Sequence, residues 1–515
     1  MTAGRRRGAA RRSRPRWVTL GLALVAATAT ATAPALGPAL AQGSPDAGDR
    51  AADTRAIGLA EAQALARARN DARAAEAAAA ARAAAMVGAA DGVDDLIVEA
   101  AVEGVRRTAE PTAGPFFQET DLDALTVRAA VWKPLPWGGR VGVQVRDGVS
   151  RTQALVAAGG PPAELAYTVH GPRAELVWQQ PLLRGRGRAA HDGPRRVARA
   201  EADAARASLD LADTRLALDV ARAYWELAYA ARELAIRQSA LDLAGEQLAI
   251  TRARVGAGRG AELEVLAVEQ AIAAREAALV GARLELSARA LELRVLLALE
   301  DGDPRPLAAT DPLDAPTSPP PAPAAALARA LAFSPELRAI DHQARAAGAQ
   351  LDAAARARGP GLDLVVRGGP AGNAADQAEA WGQLARADGF EAAAALSFTL
   401  PVGDRAGRGQ HEAARLARRE LAHRREARRG RLTAEVARAV DAVTLSERRI
   451  AAAARAAELA ERNVALELDR WRTGLGTNFD VLTRQDQAAA AAAALARAHA
   501  DRQLAVAALV ALTGP

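Results

Sequence analysis

A thirteen-residue pattern occurs twice in this chain. Arg254, Gly258, Glu264, Val265 and Leu266 spell R-x3-G-x5-E-V-L, and Arg470, Gly474, Asp480, Val481 and Leu482 repeat it 216 residues later with Asp for Glu. Upstream, Val220, Leu227, Leu234, Leu241 and Leu248 stand seven apart, and Val436, Val443, Ile450, Ala457 and Val464 answer them at the same offset. A heptad row that ends in a glycine turn describes a long coiled-coil hairpin. The chain therefore reads as two tandem copies of one hairpin unit.

Each copy reads as helix, strand pair, very long helix, turn, shorter helix. In the first, Ile57–Ala85 is alanine-rich and helical, and Val141, Val143 and Val145 alternate with smaller or polar residues. Ala174, Leu176 and Trp178 alternate likewise before Pro181, which is the period-two signal of a strand. From Arg188 to Arg254 the pattern is helical apart from Gly193, Pro194 and Gly245, and a helix from Glu262 to Leu299 follows the turn. About 65 helical residues make a rod of roughly 100 Å, longer than a globular domain requires.

The second copy keeps this order. Ala324–Ala357 reads as helix, Leu362–Val366 and Ala393–Leu400 as strands, Gly409–Arg472 as the long helix, and the last helix runs to Leu512. The expected organisation is a processing segment over 1–41, a first repeat over 42–303, a proline-rich linker over 304–323 and a second repeat over 324–515. Ala64–Ala68 matches Ala326–Ala330 at an offset of 262 rather than 216, so the first repeat carries about 46 extra residues ahead of its long helix. They are expected in Val87–Asp123, which fits no element pattern, and in the loop around Gly148–Pro162.

The first 41 residues carry seven arginines, an apolar stretch from Trp17 to Ala27 and a small-x-small site at Ala39-Leu40-Ala41, which together read as a secretory signal peptide. Its removal takes 7 of the 67 basic residues and none of the 61 acidic ones, leaving a net charge of −1. That balance excludes nucleic-acid binding by charge. The absence of cysteine excludes disulfides, thiolate zinc sites and lipidation at the cleavage site. Aromatic residues make up 3% of the chain while alanine abounds, which suits closely spaced helices better than a bulky globular core. No later apolar run is long enough for a membrane-spanning helix, so entry into a membrane would have to use strands.

Catalytic patterns are missing. The six histidines form no H-E-x-x-H and no i, i+4 pair, so neither a metal nor another cofactor is expected. Gly256–Gly260 follows a helix and lacks a G-K-[ST] ending, which makes it a turn rather than a phosphate loop. Glu262 and Glu264 sit where carboxylates complement the positive end of a helix dipole. An enzyme is not expected.

Four strands per chain cannot enclose a pore, and an open sheet edge cannot face lipid. Three chains giving four strands each would close a twelve-stranded barrel, with their helices forming a tube beneath it.

These residues carry a resemblance. The two tips, Gln179-Gln180-Pro181-Leu182, Phe398-Thr399-Leu400-Pro401 and Ala223-Tyr224-Trp225 together resemble the TolC family of outer-membrane efflux proteins, from about Ile57 to Gly514. The resemblance implies a mainly α fold with a small β part: a trimeric α-helical barrel continuous with an outer-membrane β-barrel, built from two repeats. It implies an exit duct of a tripartite efflux pump or a type I secretion system, docked to a periplasmic adaptor that serves an inner-membrane transporter. Cargo, small molecules or polypeptides, is not legible.

By the same resemblance the tips face the periplasm and close the duct. Asp480 matches an acidic gate residue, while Thr483 replaces a second aspartate. Trp471 and Glu264 stand where the family pairs a tyrosine with an acid, and Gly476 replaces a latch arginine. Arg254, Gly258, Arg470 and Gly474 form the tip turns and would meet the adaptor. Plainer roles stand beside these: arginines suit helix C-termini, and Asp480 suits a helix N-terminus. Two other architectures stay open at this point, a secreted coiled-coil stalk and a periplasmic adaptor.

Overall fold

The computed structural model describes residues 54–110, 117–156, 163–258, 260–299 and 305–514, so the expected signal peptide lies outside the described residues. The first half runs β1 (Arg55–Ile57), α1 (Leu59–Arg69), α2 (Asp71–Asp91), β2 (Ile97–Thr108), β3 (Phe117–Pro134), β4 (Arg140–Val156), β5 (Ala163–His170) and β6 (Arg173–Pro181). A four-residue helix α3 (Arg188–His191) then leads into α4 (Gly193–Gly256) and α5 (Glu262–Leu296), and β7 (Leu307–Ala309) follows. The second half runs α6 (Pro323–Phe333), α7 (Pro335–Arg356), β8 (Gly361–Ala371), α8 (Gln377–Arg386), β9 (Gly389–Thr399), α9 (Arg405–Arg472) and α10 (Asn478–Thr513).

Each opening helical stretch is split by a polar cap. The Asn70 side chain accepts the Arg73 N–H at 3.0 Å, and the Ser334 hydroxyl accepts the Leu337 N–H at 3.3 Å. Such side chains compete with the helix backbone and start a new helix, aided after Ser334 by Pro335. The caps stand 264 apart, as do buried Ala62 and Ala66 from buried Ala326 and Ala330. The offset of 262 is thus corrected to 264, and 264 less 216 leaves 48 extra residues rather than 46. Alanine strings match themselves at several offsets, and only the caps and the buried face fix the register.

Most of the extra residues form an inserted hairpin. In the first half 48 residues separate the end of α2 at Asp91 from the start of β4 at Arg140, whereas in the second half Arg356 and Gly361 almost adjoin. The insertion is β2 and β3, paired antiparallel from Ile97↔Trp132 to Thr108↔Asp121. The described part of Val87–Asp123 holds the end of α2, all of β2 and the start of β3, and the described part of Gly148–Pro162 is the end of β4.

The four strands marked by alternation are present as β4, β6, β8 and β9, and β2, β3 and β5 bring the sheet to seven. The sheet within the chain thus holds three strands beyond the four expected. The order is β2-β3-β4-β6-β8-β9, and β5 continues the line of β6 by pairing with Val149–Val156 of β4. All these pairings are antiparallel. The ends of this six-strand path are β2 and β9, and among the described residues β5 has a strand partner on its β4 side alone.

Below the sheet, α4 and α9 are 64 and 68 residues long, about 95–100 Å each, and α5 and α10 return antiparallel beside them. Gly245 leaves α4 unbroken, whereas Gly193 and Pro194 do start a helix. Two small cores sit partway along the rods, and they obey the duplication. Val220, Ala223, Tyr224 and Leu227 anchor one, and Val436, Ala439, Val440 and Val443, each 216 residues on, anchor the other.

The linker is ordered where it is described. β7 pairs in parallel with β1, and Leu307 is buried in the first core. The Tyr224 hydroxyl donates to the Asp311 carboxylate at 2.7 Å, which also accepts the Leu59 N–H at 2.8 Å. Mostly helix with a smaller sheet part, the fold matches the class expected from the sequence.

Candidate functional site

The duplicated pattern forms the two turns where long helices meet their return helices. Gly258 has φ +72° and Gly474 has φ +81°, a region where a side chain is strained. At the second turn Leu475 N–H donates to Arg470 O at 2.8 Å and Gly474 N–H to Trp471 O at 3.1 Å. This six-to-one and five-to-two pair closes the helix around a left-handed glycine. At the first turn Gly258 N–H donates to Val255 O at 2.9 Å, the counterpart of the bond to Trp471.

The turns are joined to each other. The Arg254 guanidinium lies 4.5 Å from the centre of the Trp471 ring and donates through Nη1 to the Trp471 carbonyl at 3.2 Å. Trp471 is buried, so the contact is shielded from water and stronger than its exposed equivalent. No hydrogen bond joins Trp471 to Glu264 within the chain; the cation takes the indole face instead. Glu264 sits in the first turn of α5, with its backbone N–H on Ala261 O.

Asp480 closes a capping box. Its carboxylate accepts the Thr477 N–H at 3.1 Å and the Thr477 hydroxyl at 2.7 Å, and the Thr477 hydroxyl accepts the Asp480 N–H. These bonds, helped by the charges of Arg470 and Arg484, hold its carboxyl below the usual aspartate range. Arg470 reaches Glu467 at 3.4 Å. A Cβ on Gly476 would lie 2.8 Å from Glu467 Oε1, so Glu467 folds over the place where a latch side chain would stand.

Two polar clusters above the turns escape a motif search. Gln247, Thr251 and Asn478 are all buried, and Gln247 donates to Asn478, which donates to the Thr251 hydroxyl at 2.7 Å. One turn of α4 is thereby tied to the start of α10. Arg275 of α5, also buried, donates to Ala240 O at 2.8 Å, Gln485 Oε1 at 3.2 Å and Asp486 Oδ1 at 2.8 Å, joining three helices. The sequence signal for it is an arginine seven residues after buried Val268, on the apolar register of α5.

At the outer surface of the turns Leu263, Leu475 and Phe479 are 70–75% exposed. Leu263 and Phe479 are counterparts at the 216-residue offset. Among the described residues no group of side chains could hold a metal ion, and no helix is long and apolar enough to cross a membrane.

Comparison with known proteins agrees with this architecture. No curated protein matches the chain in sequence. The solved outer-membrane channel OprN superposes with a TM-score of 0.65 at 17% identity, covering 88% of this chain and 89% of its own. The outer membrane protein VceC of Vibrio cholerae gives 0.63 at 16% identity over 88% and 96%. The CmeC outer membrane channel of Campylobacter jejuni gives 0.64 at 14% identity over 93% and 94%. At these identities the likeness is one of fold. A family model described as outer membrane efflux protein matches residues 179–299 and 326–515, more than half of the chain. The chain belongs to the outer membrane efflux protein family, whose members are channels rather than enzymes and extend from the outer membrane into the periplasm.

Proposed function

We propose that this channel is the exit duct of a tripartite efflux pump or type I secretion system, three copies around one axis. A periplasmic adaptor docks on its tips and links it to an inner-membrane transporter. The observation that carries the reading is unfinished packing. Val280, Leu284, Leu291 and Val295 form one stripe of α5, spaced four, seven and four, and are 59–77% exposed. A stripe with coiled-coil spacing that the described residues leave mostly uncovered calls for helices of a neighbour. The strand edges β2 and β9 make the same demand within a membrane.

The tips divide between closing and docking. Trp471, clasped by Arg254, holds the two turns together, and Asp480 and Glu264 supply carboxylates beside them. Repeated by three copies about the axis, these carboxylates form a ring that favours cations. Exposed Leu263, Leu475 and Phe479 with Arg470 offer the adaptor apolar anchors beside a cation, and Gly258 and Gly474 set the shape of the turns.

A double variant Leu263→Ala, Phe479→Ala tests the docking half. Export in cells should fall while the trimer and its conductance in planar bilayers stay unchanged. A purified, folded protein that opens no pore would end the duct reading, and unimpaired export by the double variant would remove these residues from the docking surface.

A further inference from the structure

The inserted hairpin β2–β3 makes this sheet wider than its own duplication requires. The register sorts the sheet residues onto two faces. On one, Val98↔Val131↔Val143↔Leu176↔Gly368↔Ala392 form a continuous row across all six strand positions. Val102 and Val127 in the hairpin, and Trp178, Val366 and Leu396 beyond it, lie on the same face, and all are exposed. The opposite face carries Glu99, Glu103, Arg128, Gln144, Arg146 and Glu175. An apolar face backed by a polar one is the pattern of a barrel wall between lipid and water.

The hairpin obeys this pattern from Val98 to Gly104 and from Leu125 to Val131, and beyond that band Arg106 and Asp123 pair at 3.6 Å on the same face. β2 has 12 residues, enough to cross a bilayer, and its apolar positions Val98, Ala100 and Val102 continue the band of β3 and β4. The inner face also binds it to the sheet. The Trp132 indole N–H donates to Glu99 at 3.1 Å, and Arg140 of β4 lies 4.4 Å from the centre of the same ring. Gly142 has no side chain where the Trp132 ring presses on β4.

We infer that β2 and β3 are part of the membrane wall, that β2 pairs with β9 of a second copy of this chain, and that three copies close a barrel of eighteen strands. Four observations support that neighbour. The edges match in length, 12 residues against 11. The apolar face reaches both edges, at Val98 and Val102 on one side and Leu396 and Phe398 on the other, with all four exposed. The strand count across the sheet is even, so β2 and β9 run in opposite directions and the joint is antiparallel like every other in the sheet. Unpaired edge amides in lipid are too costly to persist. The copy number of three rests on the duct reading above. Barrel width grows linearly with strand number, so eighteen strands give about 1.5 times the width of twelve.

The chain lacks cysteine, so disulfides can be placed at will. Ala101→Cys, on the polar face of β2, is combined in turn with Ala393→Cys, Ala395→Cys or Ser397→Cys on the polar face of β9, and membranes are oxidised. At least one pair should give covalent trimers on a denaturing gel, lost on reduction. The control combines Gln144→Cys of β4 with the same three partners and should give none. Crosslinks from β4 but not β2 would place the hairpin outside the wall and overturn the inference, leaving the duct reading intact. Covalent dimers alone would mean two chains and twelve strands, overturning both the eighteen and the trimer. Imaging of the unmodified protein in nanodiscs counts the strands directly; any number other than eighteen overturns the inference even if the cysteine variants misfold.

Discussion

Arg254 of the first turn caps the indole of Trp471 at 4.5 Å and holds its carbonyl, across 217 positions of sequence. This contact ties the two hairpin ends within one chain, and on the proposed gating role it is one of the bonds that opening must break. A shielded cation–π contact and one hydrogen bond are together worth about 2 kcal/mol. Arg254→Ala should raise the open population roughly 30-fold, since each 1.4 kcal/mol is a decade. Single-channel recording reads this as longer or larger openings. Trp471→Ala should do the same, and unchanged traces in both variants would remove the pair from the gate.

Arg275 is a buried guanidinium serving three helices, whereas its partner Asp486 is largely exposed. Truncating the buried member leaves the buried Gln485 oxygen without its donor, at a cost of about 2 kcal/mol. Losing the exposed member should cost under about 1 kcal/mol, because Arg275 keeps its other acceptors. Denaturant unfolding of Arg275→Ala and Asp486→Ala should separate by that margin. Equal small effects would mean that the arginine is not holding the lower helices together.

The cap of α10 should be sensitive to acid. Hydrogen bonds from Thr477 hold the Asp480 carboxyl below its ordinary value of 3.8. A group depressed on folding contributes stability that is whole above its unfolded pKa and is lost as pH falls through the lower folded one. Hydrogen exchange in the first turn of α10 should therefore quicken below about pH 3.8. Asp480→Asn should exchange faster at neutral pH and lose that acid dependence. An identical acid response in the variant would assign the effect to another group.

Gly142 admits no side chain. A Cβ there would lie 2.4 Å from Trp132 Cε3 and 2.7 Å from the Val131 carbonyl, and a backbone atom cannot swing away. Gly142→Ala should break the β3–β4 register at the base of the sheet. The yield of heat-resistant oligomer on gels should drop sharply. Gly148→Ala, where the nearest atom is 3.6 Å away, should leave it unchanged.

What could be read from the sequence follows from signal strength. Heptads over sixty residues and a glycine turn are hard to mistake, so α4, α9 and both turns stand where expected. The inserted hairpin is hidden because the outward positions of β2 are Val, Ala, Val, Gly, Arg and Thr while its inward ones include Ile, Ala and Val beside Glu99, Glu103 and Arg107. Period-two contrast vanishes when both faces mix small apolar and polar residues, and only pairing with β3 reveals which side is which. The Arg254–Trp471 contact is not written locally at all. Each residue reads alone as an ordinary helix-end side chain, and their meeting depends on two distant turns arriving side by side. Glu264, matched to Trp471 by resemblance, shares no hydrogen bond with it in the chain.

The pairing of β1 with β7 clamps the rods near mid-length, beside Tyr224. From Tyr224 to the end of α4 at Gly256 is about 48 Å of helix, tied laterally at Ala240 by Arg275 and at Gln247 and Thr251 by Asn478. That stretch is a lever with its fulcrum at the clamp. A swing of about 5° there displaces the far end by roughly 4 Å over that length, comparable to the Arg254–Trp471 spacing. On the proposed gating role, parting the clasp by such a rotation needs no helix to unwind, but the bonds that Gln247, Asn478 and Arg275 make between α4, α5 and α10 must yield with it.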